Sequence, residues 1–112
     1  MDESLAELEL AKAYETSQNG NEGMARVLAR RAAGMAVREY LGSINFDQRG
    51  LSLNTLINNE AVRKVTPASI HAALDRLSTR IGMDFNFPMN YDLLMDSRLV
   101  IDQLTNIIGE KQ

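Results

Sequence analysis

An all-α fold, an antiparallel up-and-down bundle of four long helices plus one short helix, is the class this sequence predicts. Three observations carry the expectation. Apolar residues recur at helical spacing in separate segments, most clearly Ile70, Ala73, Leu74, Leu77 and Ile81. No segment of any length alternates apolar and polar residues as a half-buried strand would. Asn, Gly and Pro punctuate the chain between the periodic stretches, leaving connections short enough to set sequential helices antiparallel.

The first helix spans about residues 3–17, rich in Leu, Ala, Glu and Lys, with Leu5, Leu8, Ala11 and Tyr14 as its apolar side. Asn19-Gly20-Asn21 ends it. A second helix runs from Gly23 to Leu41, with Gly42 placed to cap its C-terminus. Residues 42–51 read as a loop. Ser52 is placed to cap a short helix carrying Leu53, Leu56 and Ile57. Thr66-Pro67 reads as a hydroxyl N-cap followed by proline in the first turn, opening a helix that Gly82 closes. Phe85, Phe87 and Pro88 mark an apolar connector across the bundle. The last helix runs from about Tyr91 to Ile108, capped by Asn90 and stopped by Gly109. Its stripe is Leu94, Ser97, Val100, Ile101, Leu104, Ile107 and Ile108. The expected core includes Leu28, Ala32, Met35, Ile70, Leu74, Leu77, Ile101 and Leu104.

At 112 residues and 45% apolar composition, the chain makes one globular domain, residues 1–112, with a core of its own. It contains no cysteine, so disulfides, thiolate metal sites and a cysteine nucleophile are excluded together. No apolar run is long enough to span a bilayer, and Met1-Asp2-Glu3-Ser4 is acidic where a signal peptide would be basic. A cytoplasmic protein without membrane association is expected. The net charge of −3 gives no overall field to attract nucleic acid. Charge is unevenly spread, however. Residues 1–22 carry six acids against one lysine, a net of −5, whereas residues 23–41 carry four arginines against Glu39, a net of +3. The two helices should attract each other, or the second should offer an anion site.

Most catalytic signatures are absent: no GxGxxG, no phosphate-binding loop, no HExxH, no GxSxG and no calcium loop. No cofactor and no metal are expected, and no catalytic residue is assigned. His71 is the single histidine. It shares a helix flank with Asp75 at i+4 and Ser78 at i+7, so it is a candidate base oriented by an aspartate. The same spacing makes an ordinary surface pair. Asp92 and Asp96 lie at i, i+4 without the ExxH partners of a carboxylate metal bundle, and read as a solvated face. Arg98 and Asp102 read as a surface pair.

The arginines of the second helix form the candidate ligand-binding set. At 100° per residue, Arg26, Arg30, Arg31 and Arg38 fall within an arc of about 140°. The opposite arc holds Ala25, Leu28, Ala29, Ala32, Ala33, Met35, Ala36 and Tyr40, broken only by Glu39. Gly34 sits among the arginines with Val27 and Leu41. A mid-helix glycine costs about 1 kcal/mol relative to alanine, which a close contact with another backbone or a ligand would offset. The cluster can hold phosphate, or it can pair with the acidic first helix or with a second subunit.

The segment ARVLARRAAGMAVREYL at residues 25–41 resembles the second helix of HEPN proteins (higher eukaryotes and prokaryotes nucleotide-binding). An acidic first helix before it, and a loop, a short helix and two longer helices after it, match that family's layout. The resemblance implies a helical bundle that commonly dimerises. It also implies relatives that are ribonucleases or toxins neutralised by a small nucleotidyltransferase partner. The family's catalytic motif is an arginine followed four to six residues later by histidine. Here the nearest arginine upstream of His71 is Arg63, eight residues away across Thr66-Pro67, so no catalytic residue carries over. The leading expectation is a non-catalytic, homodimeric helical interaction module. Behind it stand a nucleotide or RNA binder using the arginines, and a divergent ribonuclease using His71.

Overall fold

The computed structural model describes residues 4–79 and 92–110. They form α1 (Leu5–Gln18), α2 (Glu22–Ser43), α3 (Leu53–Asn58), α4 (Glu60–Val65), a 3₁₀ turn (Ala68–Ile70), α5 (His71–Ser78) and α6 (Leu93–Glu110). No strand occurs among the described residues. The four longer helices are those expected. Two short α-helices and a 3₁₀ turn stand where one short helix was expected.

Side-chain caps set the helix starts. The Ser4 hydroxyl accepts the Glu7 N–H at 3.1 Å, and the Asn21 carboxamide accepts the Met24 N–H at 3.1 Å. Gly20, at φ +89°, turns the chain between them. Ser52 caps α3 as expected, through the Thr55 N–H at 3.2 Å. The Asp92 carboxylate accepts the Met95 N–H at 3.1 Å and opens α6; the expected cap Asn90 lies outside the described residues.

Several expected boundaries move. α2 runs through Gly42 and ends at Ser43, and Asn45 beyond its cap adopts the left-handed conformation at φ +58°. The Phe46 N–H then returns to the Leu41 carbonyl at 3.0 Å. Gly109 lies inside α6 rather than ending it. Thr66 caps nothing, because its hydroxyl already donates back to the Arg63 carbonyl at 3.2 Å as α4 closes. Pro67 is extended, and the chain re-enters helix through the 3₁₀ turn. α5 ends at Ser78, short of Ile81 and Gly82, which with the 83–90 connector lie outside the described residues.

Contacts between elements set the topology. Arg30, early in α2, meets Leu77 near the end of α5, while Tyr40, late in α2, meets Val65 just before α5. Those two helices are therefore antiparallel. Arg76 near the end of α5 meets Asp96 near the start of α6, and Ser69 meets Gln103, so α5 and α6 are antiparallel too. Glu7 meets Arg98, whereas Tyr14 and Ser17 share a cleft with Leu93 and Leu94, so α1 opposes α6. The order is up, down, up, down, with α2 central and in contact with α1, α3, α5 and α6.

The core is built from Leu10, Val37, Leu41, Leu56, Ile57, Val62, Ile70, Leu74, Leu77, Val100, Ile101 and Leu104, together with Ala6, Ala13 and the alanines of α2. Of the expected core, Leu28 and Met35 are only half-buried. The α1 expectation is overturned. Leu5, Leu8, Ala11 and Tyr14 are all exposed, and the buried side is Ala6, Glu9, Leu10 and Ala13. Small residues let α1 approach the alanine-rich α2 closely, and Glu9 enters the interface because Arg31 receives it at 2.9 Å. A leucine-led face would hold the two backbones apart.

Candidate functional site

The candidate site is the arginine side of α2, and the structure divides it. The Arg31 Nε pairs with the Glu9 carboxylate of α1 at 2.9 Å. The Arg30 Nε donates to the Leu77 carbonyl at 2.6 Å, a cation on the electronegative end of α5. The Arg38 Nη2 donates to the Leu51 carbonyl at 3.0 Å, and the Arg38 carbonyl accepts from Gln48 at 3.2 Å. Arg26 lines a cleft of about 370 Å³ with Tyr14, Ser17, Glu22 and the start of α6. The four side chains share an arc but not one cleft: Arg31 lines one with Arg38 and another with Arg30, while Arg26 lines a third. Arg31, Arg30 and Arg38 fasten α1, α5 and the 44–51 loop to one helix. The expected attraction between α1 and α2 is present as the Glu9–Arg31 pair.

Gly34 is explained within the chain. A Cβ there would lie 2.9 Å from both the Cβ and the carbonyl oxygen of Leu53, so the first turn of α3 occupies the space. Of the two close contacts expected there, another backbone or a ligand, the structure supplies the backbone, that of α3. Val37 and Leu41 are buried on that side as well. What stays open is a shallow cleft of about 620 Å³ with Leu5, Met35 and Leu53 at its base and Arg31, Arg38 and Glu39 at its edge.

His71, Asp75 and Ser78 do not act on one another. The His71 Nε2 lies 3.0 Å from the Thr66 hydroxyl and 3.2 Å from the Thr66 carbonyl. The His71 ring is thus held against Thr66, not against Asp75 or Ser78. Asp75 instead pairs with Arg63 at 2.7 Å, and the Ser78 hydroxyl donates to the Leu74 carbonyl at 2.8 Å. Arg63 also donates Nε and Nη2 to the Ile57 carbonyl, at 3.0 and 2.7 Å. It ties the C-terminus of α3 to α5.

Two ion pairs on α6 were not legible as such. Asp96, expected on a solvated face, is buried and receives Arg76 through two hydrogen bonds of 2.9 and 2.8 Å. The signal was available: Asp96 stands three residues after Leu93 and four before Val100, inside the buried arc. Arg98 pairs with Asp102 at 3.1 Å as expected, and also with Glu7 of α1. The hydrogen bond it donates to Glu7 holds the Arg98 guanidinium above its ordinary range against partial burial, with Asp102 adding to the effect. Asp96→Ala should cost about 2 kcal/mol, below the 3–5 of a wholly buried pair, because the solvated part of Arg76 softens the loss. Urea unfolding measures it, and a cost under about 0.5 kcal/mol would make the pair an ordinary surface contact.

Among the described residues, no group of three or more histidines or carboxylates gathers to hold a metal ion. No described helix is long and apolar enough to cross a membrane. Comparison with protein-family models, characterised proteins and solved structures finds no match for this chain.

Proposed function

We propose that this chain is a non-catalytic helical interaction module that works as a homodimer. One observation carries the proposal. His71, Asp75 and the arginines Arg30, Arg31 and Arg38 each hold a contact within the chain, while Leu5 and Leu8 of α1 are left outside the core. Leu5 is 73% exposed and Leu8 46%. Burying two such leucines against a partner supplies a driving force that solvent exposure wastes. The separate contacts of Arg30, Arg31 and Arg38 with the Leu77 carbonyl, Glu9 and the Leu51 carbonyl support a role in the fold for these arginines over phosphate recognition. The HEPN-like layout remains part of the proposal as a bundle that pairs, with a nucleotidyltransferase-type protein as a further partner to test by co-purification. A cytoplasmic setting accords with the cysteine-free sequence.

The non-catalytic half makes a direct expectation. Purified protein incubated with RNA should leave it intact, and His71→Ala should behave as the wild type. RNA cleavage by the wild type that disappears in His71→Ala would refute the proposal. Salt-sensitive retention of RNA, lost on neutralising Arg31 and Arg38, would move the function to nucleic-acid binding.

A further inference from the structure

We infer that Asn19 is a site of spontaneous deamidation, and that its product unties the end of α1 from the bundle. Among the asparagines of the chain, Asn19 alone is followed by glycine. The reaction depends on that neighbour. The backbone nitrogen of the following residue, once it has lost its proton, attacks the side-chain Cγ, and a glycine nitrogen is approached with no flanking side chain in the way. A bond forms between the Gly20 nitrogen and the Asn19 Cγ, and the carboxamide nitrogen leaves as ammonia. Water then opens the five-membered imide. Addition at Cγ restores the backbone and leaves a carboxylate side chain. Addition at the original backbone carbonyl leaves the chain running through Cβ and Cγ, one carbon longer.

The same turn guards the site and is what the product breaks. Asn19 is exposed, and its carboxamide holds no hydrogen bond among the described residues. The carboxamides of Asn21 and Asn59, by contrast, are held by the Met24 and Val62 N–H groups of the helices they cap. The Gly20 N–H donates to the Ser17 carbonyl at 3.0 Å and the Asn21 N–H to the Thr16 carbonyl at 3.1 Å, with Gly20 at φ +89°. This is a glycine-ended helix stop, in which two residues beyond the cap answer the last carbonyls of α1. With Asn19 at ψ 4°, it keeps the Gly20 nitrogen turned away from the Asn19 side chain. Ring closure therefore waits on fraying of the last turn, an opening that helix ends make at small cost. In the lengthened product an extra backbone carbon lies inside both hydrogen-bonded rings and shifts both donors off their carbonyls. Either product also adds a carboxylate at the electronegative end of α1, where the last turn has no basic residue and Ser17 already holds Glu22. Beyond Ala13 no described residue of α1 is buried, so this end of the helix relies on the turn.

The experiment ages the full chain at mildly alkaline pH, under native conditions and in urea. Trypsin frees residues 13–26, between Lys12 and Arg26, whose mass rises as the amide becomes an acid. Isoaspartyl linkages are read by enzymatic methyl transfer. In urea, Asn19 should react at least about tenfold faster than Asn45, Asn54 or Asn59, none of which precedes glycine. In the native chain it should react about tenfold or more slowly than in urea, because the turn must first open, yet still ahead of those asparagines. Asn19→Gln keeps a carboxamide but requires a larger ring, and should stay unmodified with the helix signal of wild type. Modified wild type, separated from unreacted chain by ion exchange, should melt earlier and exchange the amides of Tyr14 to Gln18 at least about threefold faster, with α6 unchanged. A native chain in which another of these asparagines reacts before Asn19 overturns the site. A modified chain whose α1 amides exchange as slowly as before overturns the untying of α1.

Discussion

Leu77→Ala is expected to destabilise the protein by about 3–4 kcal/mol, within the range for leucine truncation at a fully buried site. Leu77 is completely buried. It belongs to α5, only eight residues long, which is too short to persist on its own propensity and depends on Ile70, Ala73, Leu74 and Leu77 to dock. The Leu77 carbonyl also receives Arg30 of α2, so slack around the side chain loosens that junction. Urea or thermal unfolding would show the loss as a lower midpoint with an unchanged slope. A cost below about 0.5 kcal/mol would put Leu77 at the surface and α5 in another orientation.

Gly34→Leu should cost about 3 kcal/mol, at the upper end for overpacking, despite the roughly 1 kcal/mol by which leaving glycine favours the helix. The first added carbon would already lie 2.9 Å from the Leu53 carbonyl oxygen, which belongs to the backbone and cannot rotate aside. Three further carbons force the start of α3 off α2. Hydrogen exchange should quicken at Leu56 and Ile57, both buried in α3, before it quickens in α6. The close backbone approach expected of a mid-helix glycine is thus met by α3 of the same chain. Stability equal to wild type would mean that α3 gives way freely and that the contact does not hold it.

The long helices were legible because period and punctuation agreed. Ile70, Ala73, Leu74 and Leu77, and the α6 stripe as far as Leu104, are buried where their spacing placed them. α1 departs from its pattern because its largest apolar residues, Leu5, Leu8 and Tyr14, face outward. Contact with an alanine-rich partner selects small residues, and the glutamate that completes the face is tolerated only through Arg31, which lies 22 residues away. α4 was missed because six residues carry too little periodicity; its one local signal, Asn59 before Glu60, lay in a stretch without an apolar stripe. The arginine arc was visible, but its meaning depended on what α1, α5 and the 44–51 loop brought to each guanidinium. Partners of this kind are set by tertiary contact: Arg30 to Leu77 spans 47 residues and Arg76 to Asp96 spans 20. The His71–Asp75 spacing was right for a pair, yet both found nearer partners, in Thr66 and Arg63.

Sedimentation equilibrium of the unmodified chain tests the central claim most directly. The homodimer should appear as a species of about 25 kDa, twice the 12.5 kDa of one chain, dissociating on dilution with a constant in the micromolar range. A single species of 12.5 kDa persisting to several hundred micromolar would contradict it.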